Sequence, residues 1–475
     1  MSKKRIFGLA FLCLIVPAFI YMNNGDLRKT ASNTKTFQFL DVPVKKTVHS
    51  LKQLHESTPT IKNPEKEASR RKMVVILAYM HTGSTYLGSI LQNHQESFYE
   101  YEALRSLMYS THASKTIYFL NGTERKLTKD PNPQNIHHNV DPKLGAEAIE
   151  NMVTCQHDKL DIATLANHYF PLTSMENLHT KDFFRCQERL FGSPLYLHAR
   201  DAVHYVDNKM LHSINRSKTI IEKCMPIIKQ RCNSSSLVVE KVIRMTMKMA
   251  DILLTNLPEV KIIHLVRDPR AMLDSQSRKG DTNANNPIVL RERIKYMCNQ
   301  MKADLLLVKT LKVAYPGQIR TVRYEDMVKS QISVIEGLFE FIDIPFTPED
   351  KEYIKAHDRT NKNKISSKGL IPGKKLIDNQ TRIITRKILS LPNYMPNRPR
   401  ATYVRPQMAR SLSQRKVSSP PRRQLSWREH LSELSLQALN THCSEVYEML
   451  GYVKFANRSE LLDMKKSNFI PISLN

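Results

Sequence analysis

The chain has 475 residues, of which 41% are hydrophobic and 25% are charged. These values are normal for a globular protein, and the length allows one large domain or two ordinary ones with ample core. The formal net charge of +27 is not normal, and it points to a polyanionic partner rather than a neutral one: nucleic acid, an acidic membrane surface or an acidic polysaccharide.

The first 22 residues predict a membrane anchor. Residues 1–5, MSKKR, are basic and precede an uncharged apolar run at residues 6–22, IFGLAFLCLIVPAFIYM. Basic residues before the run favour a cytoplasmic tail, with the rest of the chain on the other side of the membrane. The run is short for a span, long for the core of a signal peptide, and no clear cleavage site follows it. We therefore expect an uncleaved signal anchor, with a cleaved peptide as the alternative.

Sequons and cysteines fit a lumenal chain. The N-x-S/T sequons are at Asn121, Asn215, Asn233, Asn379 and Asn457. The cysteines after the anchor are Cys155, Cys186, Cys224, Cys232, Cys298 and Cys443. An even number in an oxidising lumen permits a disulfide framework, although the sequence leaves the pairing open and free thiols are the alternative. Cys224 and Cys232 are near enough in sequence to close a small loop. A lumenal domain argues against nucleic acid and favours an acidic glycan as partner.

Beyond the anchor, the pattern changes three times. Residues 23–72 are polar, mixed in charge and without sustained periodicity, which predicts a stem. From residue 73 to about 344, helical patterns alternate with the β-branched runs MVVILA, LVVEKVI, KIIHLV and QIRTVRY, which predicts an α/β fold with a mainly parallel sheet. Residues 358–425 are rich in Lys, Arg, Ser and Pro, and we expect a basic insertion there rather than a folded subdomain. Helical spacing then returns from Trp427 to a predicted C-cap at Gly451.

Residues 74–94, VVILAYMHTGSTYLGSILQNH, predict a strand, a tight turn and the start of a helix. Gly83 would occupy the turn, and Ser84 and Thr85 the first helical turn. Backbone amides and the helix dipole at such a position bind anions. The lysine of an ATP-binding P-loop is absent, which argues against ATP hydrolysis. An ordinary glycine turn with a serine N-cap is the alternative.

Residues 261–278, KIIHLVRDPRAMLDSQSR, predict a buried strand followed directly by a helix. Pro269 suits the first position of that helix. Arg267 would lie at the carboxyl end of the strand, where open α/β sheets bind ligands, and Ser275 one to two turns into the helix. The two side chains could therefore bind one phosphate, for which arginine offers a bidentate fork. A structural Arg–Asp pair is the alternative.

The two motifs together resemble those of the Golgi carbohydrate sulfotransferases, most closely the branch that sulfates the 6-hydroxyl of galactose, N-acetylgalactosamine or N-acetylglucosamine. The segments LQNHQESFYEYEAL, EKVIRM, VRYEDM and WREHL add to this resemblance. It implies a P-loop-like three-layer α/β fold and the co-substrate 3′-phosphoadenosine-5′-phosphosulfate (PAPS). We therefore place a sulfotransferase domain at residues 73–456, with the basic insertion inside it and a C-terminal tail at 457–475.

The resemblance also implies which residues bind PAPS. The 5′-phosphosulfate site would be His81, Thr82, Gly83, Ser84, Thr85, Tyr86 and Leu87. The 3′-phosphate site would be Arg267, Asp268, Pro269, Arg270, Ala271, Met272, Leu273, Asp274 and Ser275, with Arg267 and Ser275 as the direct ligands.

The resemblance further implies that Glu102 is the catalytic carboxylate. It would take the proton of the sugar hydroxyl. Glu100 could face the same way on an extended segment, and two solvated surface acids are the alternative. His81, the second predicted catalytic residue, stands where the family usually has arginine, and because histidine titrates near pH 6.5 it would be only partly cationic. No ligand spacing for a metal site is visible.

We thus expect a type II Golgi membrane enzyme that transfers sulfate to a glycan or glycosaminoglycan. The sequence leaves a homo-oligomer open. A non-catalytic glycan-binding protein of the same fold is the first alternative, and it need not bind the donor. A lumenal nucleotide-dependent kinase is the second, and it would depend on magnesium.

Overall fold

The computed structural model describes residues 71–102, 104–113, 116–126, 140–166, 178–191, 209–283, 285–357 and 425–474. All of them belong to one unit that runs from Lys66 to Asn475. The predicted anchor at residues 6–22, the stem except for its last two residues and the basic insertion except for Leu425 lie outside the described residues. Within the described part of the chain, no helix is long and apolar enough to cross a membrane.

A five-stranded parallel sheet forms the centre of the fold. Its strands are β1 (Lys72–Ala78), β2 (Ser97–Tyr101), β5 (Leu237–Val242), β6 (Lys261–Val266) and β7 (Ile319–Arg323), in the order β2–β5–β1–β6–β7. Val75 of β1, for example, is paired with Glu240 of β5 and with Ile262 of β6. A separate antiparallel pair joins β3 (Thr116–Tyr118) to β4 (Glu124–Lys126). The predicted α/β fold with a mainly parallel sheet is confirmed, and the four β-branched runs are β1, β5, β6 and β7.

Helices pack on both faces of this sheet. They are α1 (Ser84–Asn93), α2 (Arg105–Ala113), α3 (Pro142–Val153), α4 (Ile162–Ala166), α5 (Lys181–Phe191), α6 (Lys209–Asn233), α7 (Met247–Asn256), α8 (Pro269–Lys279), α9 (Pro287–Ala314), α10 (Tyr324–Lys329), α11 (Gln331–Phe341), α12 (Pro348–Ala356), α13 (Trp427–His430), α14 (Glu433–His442), α15 (Ser444–Leu450) and α16 (Arg458–Leu462). Successive side chains of a strand point to opposite faces. Val75 and Leu77 therefore join one core with α3, α6 and α7, whereas Val74, Ile76 and Ala78 join another with α1, α10 and α11.

The segment predicted as a C-terminal tail, residues 457–475, is instead part of the domain as far as it is described. Carbonyl groups of this segment accept hydrogen bonds from three arginines that are at most 1% exposed: Arg270, Arg323 and Arg428. Arg428 donates to Asp463 O and Lys466 O, at 3.1 and 2.9 Å, and Arg323 donates to Ile470 O at 3.1 Å. Buried guanidinium groups must be hydrogen-bonded, so the segment completes the fold.

All six cysteines after residue 22 form disulfides, which pair Cys155 with Cys232, Cys186 with Cys224, and Cys298 with Cys443. The small loop suggested for Cys224 and Cys232 is wrong. Both residues lie on α6, where a rigid helix holds them apart, and each faces a different partner. The first two bonds fix α6 against α5 and the end of α3, and the third joins α9 to the start of α15.

Candidate active site

The turn after β1 has the backbone of an anion-binding loop. His81 and Gly83 both have positive φ angles, 68° and 90°. A Cβ on Gly83 would lie 2.3 Å from Cε2 of Tyr324, so only glycine fits. Gly83 is also the N-cap of α1 and brings no side chain to its first amides. Those amides have no intrahelical acceptor, so the helix N-terminus can donate to an anion.

Arg267 lies beside this turn, directly after β6. One of its terminal nitrogens donates to His81 O at 2.8 Å, and its guanidinium lies 4.4 Å from the ring centroid of Tyr324. Its Nε is buried and has no hydrogen-bond partner among the described residues. A buried donor without an acceptor is rare in a folded protein, and a bound anion would supply the acceptor. The arrangement therefore fits a phosphate between Arg267 and the turn.

His81 connects the two predicted phosphate sites. Its Nδ1 lies 3.0 Å from Ser275 Oγ, and its Nε2 lies 2.8 Å from an Asp281 carboxylate oxygen. Burial lowers the pKa of His81 below its ordinary value of 6.5, while Asp281 acts in the opposite direction. A neutral imidazole that donates from Nε2 to Asp281 would accept the Ser275 hydroxyl proton at Nδ1.

Most other residues of the predicted 3′-phosphate segment serve the fold. Asp268 caps α8 by accepting from the Arg270 amide, and its carboxylate binds the Arg270 guanidinium at 2.8 Å. Neither residue is exposed, so the Arg270 side chain contributes to the core and not to the loop. The remaining members are buried or paired within the domain, and they are Pro269, Ala271, Met272, Leu273 and Asp274. The structure thus brings Arg267 and Ser275 to the loop, where both contact His81, and their role as direct ligands of the 3′-phosphate stays a prediction.

Within the predicted 5′-phosphosulfate segment, His81, Gly83 and Thr85 reach the surface, whereas Thr82 and Ser84 are buried. Thr82 Oγ1 donates to Tyr79 O at 2.8 Å and shapes the turn. Tyr86 and Leu87 are buried in the core beneath α1. Thr85 is exposed, and its Oγ1 lies 3.4 Å from the Tyr101 hydroxyl, at the end of β2. That contact connects the loop to the neighbouring strand end, where Glu102 lies.

Glu102 is buried and paired with two cations. Its carboxylate oxygens accept from Lys241 Nζ and from a terminal nitrogen of Arg244, which lie at and just beyond the end of β5. Glu102 therefore is not a solvated surface acid. A carboxylate held in this way has a fixed orientation, and Lys241 also lies 4.0 Å from the Tyr101 ring centroid.

Glu100 does not face the same way as Glu102, contrary to the prediction. Glu100 stands opposite Glu240 in the β2–β5 pairing, and its carboxylate lies 3.1 Å from His157 Nε2. Lys241 follows Glu240 on β5 and so points to the opposite face. Glu102 has a φ of 58°, which ends the strand and turns its side chain towards Lys241.

A cleft adjoins these residues on the side of α9. Its empty volume is about 410 Å³, part of it open to solvent. Its polar lining is Tyr79, Arg244, Gln276, Arg293, Tyr296 and Gln300. The side chains that α9 contributes to the cleft were not predicted from the sequence. The signal was a polar stripe at positions 293, 296 and 300, the i, i+3 and i+7 spacing of one helix face.

The match to a family model decides the class of the protein. The model described as the sulfotransferase family matches residues 74–348, more than half of the chain and including both phosphate motifs. The chain belongs to the sulfotransferase family. In such an enzyme, the loop after β1 and Arg267 would bind the anionic sulfate donor.

Curated relatives of this sulfotransferase are carbohydrate sulfotransferases. The chain is 32% identical over 111 residues to carbohydrate sulfotransferase 5 of Homo sapiens, covering 20% of this chain and 26% of that protein. It is 24% identical over 144 residues to carbohydrate sulfotransferase 4 of Mus musculus, covering 27% of this chain and 37% of that protein. The matches therefore span about a quarter to somewhat more than a third of those relatives.

Among solved structures, the sulfotransferase domain of the Synechococcus PCC 7002 olefin synthase matches with a TM-score of 0.31 at 14% identity. That match covers 70% of this chain and 96% of that domain. The score is too low to add to the assignment of this sulfotransferase. Among the described residues, no group of three or more His, Cys, Asp and Glu could hold a metal ion, and the prediction that the enzyme needs none stays a prediction.

Proposed function

We propose that this sulfotransferase transfers a sulfuryl group from PAPS to a sugar hydroxyl of a glycan, the 6-hydroxyl of galactose, N-acetylgalactosamine or N-acetylglucosamine. The observation that carries the donor assignment is Arg267 beside the Gly83 turn, whose buried Nε lacks an acceptor in the part of the chain that the structure describes. The two carbohydrate sulfotransferases that the chain resembles support a sugar as the acceptor.

The residues present fit the donor at both ends. The amides of the Gly83 turn and the start of α1 would bind the 5′-phosphosulfate, and Arg267 with Ser275 the 3′-phosphate. Donors at a helix N-terminus stabilise the charge that develops on a leaving phosphate. PAPS supplies the activated sulfuryl group, and what remains for the protein is to hold the acceptor and remove its proton.

Glu102 is the candidate for the proton acceptor. It lies next to Tyr101, which contacts Thr85 of the donor loop, and Arg244 binds it from the edge of the cleft. A general base must lie within hydrogen-bond reach of the hydroxyl that it deprotonates. An acceptor sugar in the cleft next to Arg244 would bring its hydroxyl close to both Glu102 and the donor loop.

We place the enzyme in the Golgi membrane with its catalytic domain in the lumen. The basic residues before the apolar run at 6–22 support the orientation. The three disulfides support an oxidising compartment.

The test is to incubate the full chain with sulfur-labelled PAPS and a panel of desulfated chondroitin, desulfated keratan, and glycans with terminal galactose or N-acetylglucosamine. Label on one acceptor, mapped to its 6-hydroxyl, is the expected result. Neither transfer nor binding of the donor would favour the non-catalytic glycan-binding protein, which need not bind PAPS. A requirement for magnesium would favour the kinase.

The variant Arg267→Ala tests the donor site. Loss of a charge-assisted hydrogen bond should weaken binding of 3′-phosphoadenosine-5′-phosphate by about 10- to 100-fold, measured by calorimetry. Arg291→Ala, which removes an exposed arginine on α9, is the matched control and should leave binding unchanged. Equal affinity in the two variants would refute the assignment of the 3′-phosphate site.

A further inference from the structure

Arg293 is a cation without an anion partner in the cleft beside the donor loop. Its Nε donates to Gln276 Oε1 at 2.9 Å, and one terminal nitrogen lies 3.5 Å from Met80 Sδ. Both partners are neutral. No carboxylate lies within ion-pair distance of Arg293 among the described residues, and no acidic side chain lines the cleft there. The guanidinium is therefore held in place while most of its donors stay available.

Burial makes this arrangement costly. Arg293 is partly buried, and burial lowers its pKa, although the charge of Asp281 and the Tyr296 side chain act in the opposite direction. A buried cation is normally paired, since removing a charge from water costs several kcal/mol that a nearby anion must offset. The missing anion can therefore come from a ligand.

The position of the cleft indicates which ligand. Tyr79 and Met80 precede the donor loop, and Arg244, which binds Glu102, also lines the cleft. A group that reaches Arg293 thus lies beside the place where the acceptor hydroxyl must meet Glu102.

From these contacts, we propose that Arg293, oriented by Gln276, binds an anionic group on the acceptor glycan, a sugar carboxylate or a sulfate ester next to the hydroxyl that is sulfated. A guanidinium binds either group through two parallel hydrogen bonds, which fixes orientation as well as affinity. The inference rests on the proposed function. It assigns the choice of acidic over neutral acceptors to one side chain of α9.

The test compares acceptors that differ only in charge. Desulfated chondroitin carries a carboxylate on every second sugar, carboxyl-reduced chondroitin carries none, and keratan with and without its sulfate esters separates the second source of the anion. Binding of each glycan to the full chain is measured by calorimetry, with KM and kcat where transfer occurs. Binding requires no turnover, so the result stands even if no acceptor is sulfated and the proposed function fails.

Arg293→Gln should weaken binding of the acidic acceptor by about 10- to 100-fold and leave the neutral one unchanged. Arg293→Lys keeps the charge but loses the bidentate guanidinium, so its affinity for the acidic acceptor should lie between those of the wild type and Arg293→Gln. Arg291→Gln removes the same charge from the exposed face of the same helix and should behave as wild type.

Three results would overturn the proposal. One is an equal loss for acidic and neutral acceptors. Another is a wild-type protein that binds both equally well. The third is a change confined to the affinity for 3′-phosphoadenosine-5′-phosphate, which would place Arg293 in the donor site. Thermal unfolding of each variant shows whether a loss of glycan binding comes from misfolding. If Arg293→Gln misfolds, Arg293→Lys is the variant that tests the proposal.

Discussion

At the scale of single residues, His81 is the main departure from the arginine that the resemblance implies. Its main-chain carbonyl holds Arg267, and its two ring nitrogens contact Ser275 and Asp281. Residue 81 thus orients Arg267 through its main-chain carbonyl, and the positive φ angle there sets the direction of that carbonyl. What changes is the charge presented to the donor, and that charge depends on pH.

We expect donor binding to depend on pH through His81. Burial is the largest influence and lowers its pKa below 6.5; Asp281 raises it, and Lys279 and Arg267 lower it. The imidazole is therefore neutral at pH 7.5 and gains a proton only below 6.5. Since an anion binds imidazolium more tightly than imidazole, affinity should rise as pH falls, whereas His81→Arg should show a constant charge and tighter binding at pH 7.5.

The measurement is the ratio of donor dissociation constants for wild type and His81→Arg at pH 7.5 and pH 5.5. The 3′-phosphate of the donor itself gains a proton near pH 6, and taking the ratio cancels the effect of that protonation on binding. It should approach one at the lower pH. His357→Arg, at the exposed end of α12, is the control. A ratio that does not change with pH would show that His81 does not titrate against the donor.

At the scale of elements, local patterns predicted what depends on local sequence. The runs that became β1, β5, β6 and β7 are buried on both faces and strongly β-branched, so they were visible. Strand β2, SFYEY, was missed as a sheet strand because it has no β-branched residue, whereas β7 lies at the other edge and was predicted from its β-branched residues. The loop after β1 was predicted because glycine at a strand–helix turn has a specific physical role.

Contacts between distant residues were not predictable from such patterns. The ion pairs of Glu102 depend on which strands are neighbours, and nothing in the local sequence shows that Lys241 lies next to Tyr101. The same is true of the disulfide between Cys298 and Cys443, which are 145 residues apart. Arg270 resembled a phosphate ligand by position, yet its acceptors are Asp268, Val453 O and Asn468 O.

We expect removal of residues 457–475 to unfold the domain. Arg428 would lose both of its carbonyl acceptors and Arg270 and Arg323 one each, and each lost hydrogen bond to a charged group costs about 1.5–3 kcal/mol. The sum is comparable to the total stability of a domain, about 5–15 kcal/mol. Thermal unfolding followed by circular dichroism should show no cooperative transition for the truncated chain. Lys465→Ala, at an exposed position of the same segment, should melt as wild type, and a truncated chain that does the same would mean that the segment is a tail.

At the scale of the whole molecule, the charge is unevenly distributed. Residues 358–425 contain 17 Lys and Arg and only two acids, Asp358 and Asp378, so this segment carries +15 of the net charge of +27. Arg293, in contrast, is a single cation in a defined cleft. The two features should affect glycan binding differently. The basic segment acts by releasing counterions, whereas the Arg293 guanidinium acts through the geometry of its two hydrogen bonds to one anion.

We therefore expect the salt dependence of glycan binding to distinguish the contribution of residues 358–425 from that of Arg293. The logarithm of the affinity for an acidic glycan should fall linearly with the logarithm of salt concentration, and deleting residues 358–425 should make the slope markedly shallower for every polyanion. Arg293→Gln should instead lower affinity for the acidic acceptor at every salt concentration and reduce the slope by only about one. Binding of chondroitin to the wild type, the deletion variant and Arg293→Gln is measured from about 50 to about 300 mM salt, the range over which such slopes are resolved. If the deletion leaves the slope unchanged, the basic segment does not bind the glycan and its charge has another role.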